Sequence, residues 1–324
     1  MLQRLSRCFR FQKNVVSVEH EVRALAVEHA RTHTVSKPWG IVDPRPWSKA
    51  RGDGKAIGET WYQRPGSKAV DTALLLKVLF TSQPLSIQVH PDDAFARSIG
   101  LPNGKTEAWH VLSATPDAQV ALGLKDRLTS QQLRQAGEDG TIAELVAWHA
   151  VARGDTILVP AGTIHAIGGG LVIAEIQQRS DATFRLYDHG RHRELHIEDA
   201  IAVADAGPAK FRVTPTRLSD ARTLLVSNPH FIFERIELAP HTQWCLAAEQ
   251  ETWLLVVEGG ARVGSFDVAK GDAVFARSDR VDVHAGGTGI VGLMAYTGDG
   301  ISPDLLQPRG SKAVATDGCM EAIQ

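Results

Sequence analysis

The chain has 324 residues, 43% of them hydrophobic and 22% charged, with a formal net charge of −2. That is enough apolar material for a large core and, by length, for two domains. It excludes a disordered, collagen-like or disulfide-dense chain, and the weak acidity gives no electrostatic reason to bind nucleic acid.

Three cysteines, Cys8, Cys245 and Cys319, stand far apart, with no zinc-ribbon or redox spacing. Any metal must then be held by His, carboxylate or amide groups, and a reducing cytoplasm is the expected location. No apolar run approaches the ~18 residues of a membrane span, so no membrane partner is expected.

Residues 1–33 read as an N-terminal extension of low order. The first 18 carry Arg4, Arg7, Arg10 and Lys13, with no acid before Glu19. This resembles a transit peptide without the long apolar stretch of a secretory signal. From Thr34 the chain turns to short, β-branched or alternating segments separated by Gly and Pro, such as 85–90, 155–160 and 171–178. That is the rhythm of an all-β sandwich or barrel. Ser130 is placed to cap a short helix ending at Gly137. Thr141 with Glu144 forms a capping-box pattern ahead of a helical segment over 142–151, and a third helix is expected over 198–204. Gly207-Pro208, followed by a fresh strand-like stretch from Phe211, marks a domain boundary. The clearest strands beyond it are 231–238, 252–257 and 273–276. The expected units are therefore 1–33, 34–207 and 208–324.

Residues 85–90 alternate strictly, with Leu85, Ile87 and Val89 on one face and Ser86, Gln88 and His90 on the other. Such a strand either turns its polar face to water or aims Gln88 and His90 into a cavity. Pro91 ends it, having no N–H for the ladder. Lys105 and Glu107 share a strand face, either as an exposed ion pair or, beside bulky Trp109, as part of a half-buried site. The most specific segment is 154–165, which matches the second cupin signature, G-x5-P-x-G-x2-H. Its glycines allow tight turns and Pro160 sets the bend, delivering His165 from the next strand into a barrel interior. Gly169 stands where that signature usually carries Asn. Two imidazoles and a carboxylate, with Gln88 offering an amide oxygen, suit Zn2+ with one position open to substrate. Iron and manganese accept similar ligands, so the metal does not follow from ligand types alone.

These segments in order, together with Lys37-Pro38-Trp39-Gly40 and the run from Glu175 to Asp188, resemble type I mannose-6-phosphate isomerases in their compact bacterial form. The resemblance is strong from about Thr34 to Ala204 and architectural beyond Pro208. It implies a mainly β fold of two cupin-type (jelly-roll) β-barrels with a few short helices. Residues 34–207 would form the catalytic metal-binding cupin domain and 208–324 a cupin-like domain without a metal site. In that second unit 271–276 echoes 154–159, but no Pro-x-Gly-x2-His follows.

The resemblance further implies one Zn2+ per chain, bound by Gln88, His90, Glu107 and His165. Arg185 matches the family's essential arginine, and Lys105 and Glu175 match residues proposed there for proton transfer. Lys77 and Ser86 match positions near the substrate phosphate. The implied activity interconverts mannose 6-phosphate and fructose 6-phosphate through an enediol, with a small sugar phosphate as the substrate partner. Glu175 and Lys105 are both open as principal base. Lys77 in its apolar strand either lines the pocket or snorkels outward, and Glu175 and Arg185 are open to pairing as a structural salt bridge. Another cupin metalloenzyme, such as a dioxygenase, and a non-catalytic sugar-phosphate-binding cupin are the competing classes. Oligomeric state is not legible.

Overall fold

The computed structural model describes residues 27–49, 54–66 and 71–309. In chain order the first half forms β1 (Val27–His29), β2 (Arg31–Ile41), β3 (Ile57–Gln63), β4 (Leu74–Thr81), β5 (Ile87–Val89), α1 (Asp93–Ser98), β6 (Glu107–Ala114), β7 (Gln119–Leu124), α2 (Ser130–Asp139), α3 (Ile142–Leu145), β8 (Val146–Ala150), β9 (Thr156–Val159), β10 (His165–Ile167), β11 (Leu171–Gln178), β12 (Phe184–Tyr187) and α4 (Ile197–Val203). The second half is all strand: β13 (Thr216–Arg217), β14 (Arg222–Ser227), β15 (Ile232–Leu238), β16 (Gln243–Ala248), β17 (Thr252–Val263), β18 (Phe266–Ala269), β19 (Ala273–Ala276), β20 (Asp279–Tyr296) and β21 (Leu306–Pro308). No helix among the described residues is long and apolar enough to cross a membrane.

Three antiparallel sheets organise these strands. A six-stranded sheet runs β2-β3-β4-β11-β6-β9, a five-stranded sheet runs β12-β5-β10-β7-β8, and a ten-stranded sheet is built around β17 and β20. In hydrogen-bond order none closes on itself among the described residues, and the ten-stranded sheet carries β16, β18 and β21 as branches off its main path.

The alternation of side chains explains how they stack. On β5, Ile87 and Val89 join Leu133, Ala136, Ile142 and Ala200 in a core between the five-stranded sheet and helices α2, α3 and α4. The residue between them, Gln88, faces the opposite way, toward the six-stranded sheet. The space between those two sheets is filled by Trp39, Trp109, Val120, Leu122, Ile157 and Ile173 at one end and by polar side chains at the other. Every residue of β4 is buried. Leu74, Leu76, Val78 and Phe80 pack outward with Phe231, Phe233, Trp253, Phe275 and Leu293 of the second half. Lys77 therefore points inward, between the two sheets of the first half. A strand buried on both faces reads as a continuous apolar run, and a lysine inside one is held by partners rather than by water.

The two halves thus share one core rather than meeting across a polar linker. Glu251 of the second half reinforces the joint, accepting from the backbone N–H of Ala73 at 2.7 Å and of Leu74 at 2.9 Å at the start of β4.

Several expectations are corrected. Strand structure begins at Val27, not near Thr34. Val27, Glu28 and His29 pair with Ala276, Phe275 and Val274, so residues placed in the extension instead cover the edge of β19. Residues 31–33 of that expected extension open β2, and residues 1–26, together with Cys319, lie outside the described residues. The helix over 142–151 is a single turn, Ile142–Leu145, followed by strand β8. Thr141 has helical backbone angles and makes no side-chain cap. Val146, Trp148 and Ala150 instead pair with β7, because ladder bonds to an existing sheet edge outweigh a marginal local helix. The α2 cap is Thr129 rather than Ser130, in a reciprocal capping box with Gln132, and the helix runs on past Gly137 to a left-handed Gly140. Helix α1, capped by Asp92, had no counterpart in the sequence reading.

Candidate metal centre and active site

Four elements from two sheets bring the polar residues together. Gln88 and His90 come from β5 and its end, His165 opens β10, Glu107 opens β6, and Glu175 lies centrally on β11. Register fixes their approach, since His165 is opposite Gln88 across β10–β5, and Glu107 is opposite Gln177 across β6–β11. The turn over 160–163 needs Gly162 at φ 84°, where an added Cβ would press on the Val203 carbonyl oxygen. Gly162 N–H also donates to the His90 carbonyl at 2.8 Å, tying the two histidine segments together.

His90, Glu107 and His165 offer ligand atoms that all lie within 4.8 Å of one another, and all three are buried. Both imidazoles have their tautomer set by a backbone carbonyl. His90 Nδ1 donates to Ala182 O at 2.7 Å and His165 Nδ1 to Thr163 O at 2.8 Å, so both Nε2 lone pairs face the cluster. This is the outer support a metal-binding histidine requires. Burial pushes the His90 pKa down to about 3, and the nearby Lys105 ammonium pushes the same way. Burial likewise lowers His165. Burial opposes ionisation of Glu107, yet the Lys105 ammonium holds it well below the usual carboxylate range. The set is therefore two neutral imidazoles and one carboxylate, the protonation states a metal needs.

Glu107 Oε1 is buried without a partner in hydrogen-bonding geometry. Its close neighbour is the Lys105 ammonium, 2.7 Å away and also 3.1 Å from His90 Nε2. A cation already sits against two of the three donors, and the donor chemistry fits a divalent ion. Gln88 turns its amide nitrogen to the histidines, 3.4 Å from His90 Nε2 and 3.3 Å from His165 Nε2, while its oxygen accepts from Ser86 Oγ at 2.8 Å. To join the ligands it must rotate its amide by half a turn.

Beside this cluster lies a group of alternating charges. Lys77 Nζ stands 3.2 Å from Glu175 Oε1 and donates to Gln177 Oε1 at 2.6 Å. Lys37 Nζ stands 3.2 Å from Glu59 Oε1. The Trp109 indole N–H is shared between Glu107 Oε2 at 3.1 Å and Glu175 Oε2 at 3.2 Å. Burial alone would depress Lys77, but Glu175, Glu59 and Glu107 together raise it above the usual lysine value. One ammonium among three carboxylates cannot satisfy them all. Glu175 bears the deficit, its pKa raised by burial and then by Glu107. A carboxyl raised this way is suited to take and return a proton.

Most of these residues line one cleft, together with Ser86, Arg185 and Arg193. Arg185 is half-buried on β12, with its Nε lacking a hydrogen-bond partner. Burial and the neighbouring Arg193 push its guanidinium down from the usual value.

All the sequence-derived candidates, Gln88, His90, Glu107, His165, Lys105, Glu175, Arg185, Ser86 and Lys77, are therefore found around one cleft, His90 among its buried ligand cluster. Glu175 pairs with Lys77 and not with Arg185, and Lys77 is buried rather than snorkelling. The sequence reading gave no role to Glu59, Trp61, Asp188 or Arg193. The one local signal for the last two was the dense charge run from Asp188 to Glu194.

The fold and site define a mainly β protein with a buried His/Glu/His cluster beside an acid–base pair in a cation-lined cleft. No family model matches the chain. A mannose-6-phosphate isomerase of Streptococcus mutans is 42% identical over 175 residues, 51% of this chain and 54% of that protein. Mannose-6-phosphate isomerase ManA of Bacillus subtilis is 34% identical over 215 residues, 61% of this chain and 67% of its own length. The matched region thus spans between about half and two thirds of these relatives. Among solved structures, mannose 6-phosphate isomerase from Bacillus subtilis superposes with a TM-score of 0.72 at 22% identity, over 83% of this chain and 99% of that one. A zinc-bound mannose 6-phosphate isomerase gives 0.67 at 15%, over 84% and 99%. The chain belongs to the mannose-6-phosphate isomerase family.

Proposed function

We propose that this chain interconverts mannose 6-phosphate and fructose 6-phosphate by moving a proton between C2 and C1 through an enediol. The observation that carries the reading is the convergence of His90, Glu107 and His165, with their free donor atoms facing one point, beside a buried carboxyl of raised pKa. Zinc, held by these three residues and by Gln88 after its amide turns, would polarise the substrate's oxygens without itself titrating. The zinc-bound relative of the same fold supports that choice of metal.

Glu175 is the principal base in this reading, because its carboxylate is under-compensated and faces the cleft. Lys77 keeps Glu175 ionisable by countering its charge, and the Trp109 N–H fixes its orientation. Lys105, already against Glu107, is set to hold a substrate oxygen or pass a proton. Arg185, a cation that pairs with no carboxylate among the described residues, stabilises the negative charge that develops on the enediol or anchors the phosphate.

The two facing sheets of the first half support reading 34–207 as a cupin-type barrel carrying the catalysis. The strand-rich second half, with no comparable His/Glu/His cluster among its described residues, supports reading 208–324 as a cupin-like barrel without a metal site. The cysteine spacing supports a cytoplasmic location.

The test is to measure bound zinc and fructose 6-phosphate formation on one sample. Chelation is expected to abolish turnover and stoichiometric zinc to restore it. Full activity in metal-free protein would sink the reading.

A further inference from the structure

A second cavity lies behind the turn that delivers His165, and it shares no lining residue with the metal-bearing cleft. The alternation of β9 separates the two spaces. Ile157 and Val159 point to the core beside the metal centre, and Val159 lies opposite Glu107 in the ladder. Leu158, between them, points the other way and lines the cavity. Leu224, Leu225 and Val226 of β14 form another wall, and the segment joining the two halves, between Asp205 and Thr214, supplies much of the rest.

That segment is stitched to the histidine turn. Asp205 N–H donates to the Gly162 carbonyl at 2.8 Å, and Asp205 forms a parallel bridge with Thr163. Thr163 belongs to both sites. Its carbonyl accepts from His165 Nδ1 at 2.8 Å, fixing the imidazole that faces the metal centre. The same residue, only 9% exposed, lines the cavity, and its hydroxyl makes no hydrogen bond among the described residues. A buried hydroxyl with no partner gains from any polar atom brought to it.

The charges on the rim do not cancel. Asp205 is engaged by Arg127 Nη1 at 2.8 Å. Arg212 Nη2 stands 3.7 Å from Asp155 Oδ2. Lys210 is exposed, and its ammonium pairs with no carboxylate among the described residues. We infer that this cavity is a second ligand site, for a small organic anion with an apolar body, and that its occupancy is coupled to metal binding through Thr163. An apolar recess with a few placed polar groups is the usual form of a small-molecule site. Leu158, Val213 and Leu224 offer surface to the apolar body, the Lys210 ammonium is free for the anionic group, and the Thr163 hydroxyl for a polar atom. A ligand held against Thr163 shifts the carbonyl that orients His165. Metal and anion must then change each other's affinity by the same factor. The inference goes beyond the isomerase reading, and its readouts need no turnover.

The probe is anilinonaphthalene sulfonate, an aromatic body bearing one negative charge, followed by its fluorescence in the full chain with and without zinc. One saturable site is expected in wild type. Lys210→Gln, which removes an exposed charge, should weaken binding about 2- to 5-fold. Thr214→Trp, which fills the cavity from its exposed rim, should weaken it about tenfold or more. Without probe, both variants should match wild type in zinc content and circular dichroism. Saturating probe should shift zinc affinity about fivefold or more, by the factor with which zinc shifts probe affinity, and Thr214→Trp should abolish both shifts. Absence of saturable binding to wild type would overturn the inference, as would probe affinity unchanged in both Lys210→Gln and Thr214→Trp. Equal probe affinity with and without zinc would overturn the coupling.

Discussion

A single carboxylate, Glu175, shows how environment rather than residue type assigns a role. Glu59, Glu107 and Glu175 all lie in the same charged neighbourhood. Glu59 is held low because Lys77 and Lys37 outweigh its burial, and Glu107 is held lower still by Lys105. Glu175 alone among the three is raised. Like charges that share too few cations push one proton affinity upward, which is how acid–base pairs are separated in catalytic sites. Replacing Glu175 by Gln keeps the volume but removes the proposed base. We expect kcat to fall about 10²- to 10⁴-fold while zinc stoichiometry is unchanged. A kcat within tenfold of wild type would pass the role to Lys105.

Among the elements, the link between α1 and β6 sets how closely Glu107 approaches His90. Gly104 lies flat against the start of α1. A Cβ there would sit 2.5 Å from the Asp92 carbonyl carbon and 2.7 Å from Asp93 N. Its N–H donates to Asp93 Oδ1 at 2.8 Å, and Lys105 N–H to Pro91 O at 3.0 Å. Gly104→Ala must therefore push β6 away from the segment that carries His90. The expected cost is about 1–3 kcal/mol of stability, with weaker zinc binding. Unchanged Tm and zinc affinity would show that the approach is not controlled there. Helix α1 itself was hard to read from sequence because six residues leave little periodic signal.

The whole molecule is held by a core that crosses the expected domain boundary, and its polar inclusions make stability depend on pH. His110 is buried on β6, facing away from the metal ligands, with Nδ1 against Thr156 Oγ1 at 2.9 Å. Burial, aided by Arg235, lowers its pKa from 6.5 to about 4. The sign follows from linkage. Above pH 6.5 the group is neutral in both the folded and unfolded chain. As pH falls from 6.5 toward 4, the unfolded chain takes up the proton first, so stability is lost across that window, by about 3 kcal/mol in full. His110→Gln is expected to flatten urea-derived stability between pH 4 and 6.5, relative to wild type. Parallel pH profiles would rule out His110 as the source.

The alternation at 85–90, the glycine–proline turn before His165 and the ligand types were legible in sequence because each is a local constraint, satisfied by neighbours within a few residues. The strand at 146–150, the burial of Lys77, the partner of Glu175, the shared core and the place of Arg193 were not. They depend on contacts between distant segments, such as Lys77 with Gln177 at a separation of 100 residues and Ser86 with Arg193 at 107. Local chemistry supplied the list of reactive groups. Only sheet packing decided which of their charges were cancelled and which were left free to act.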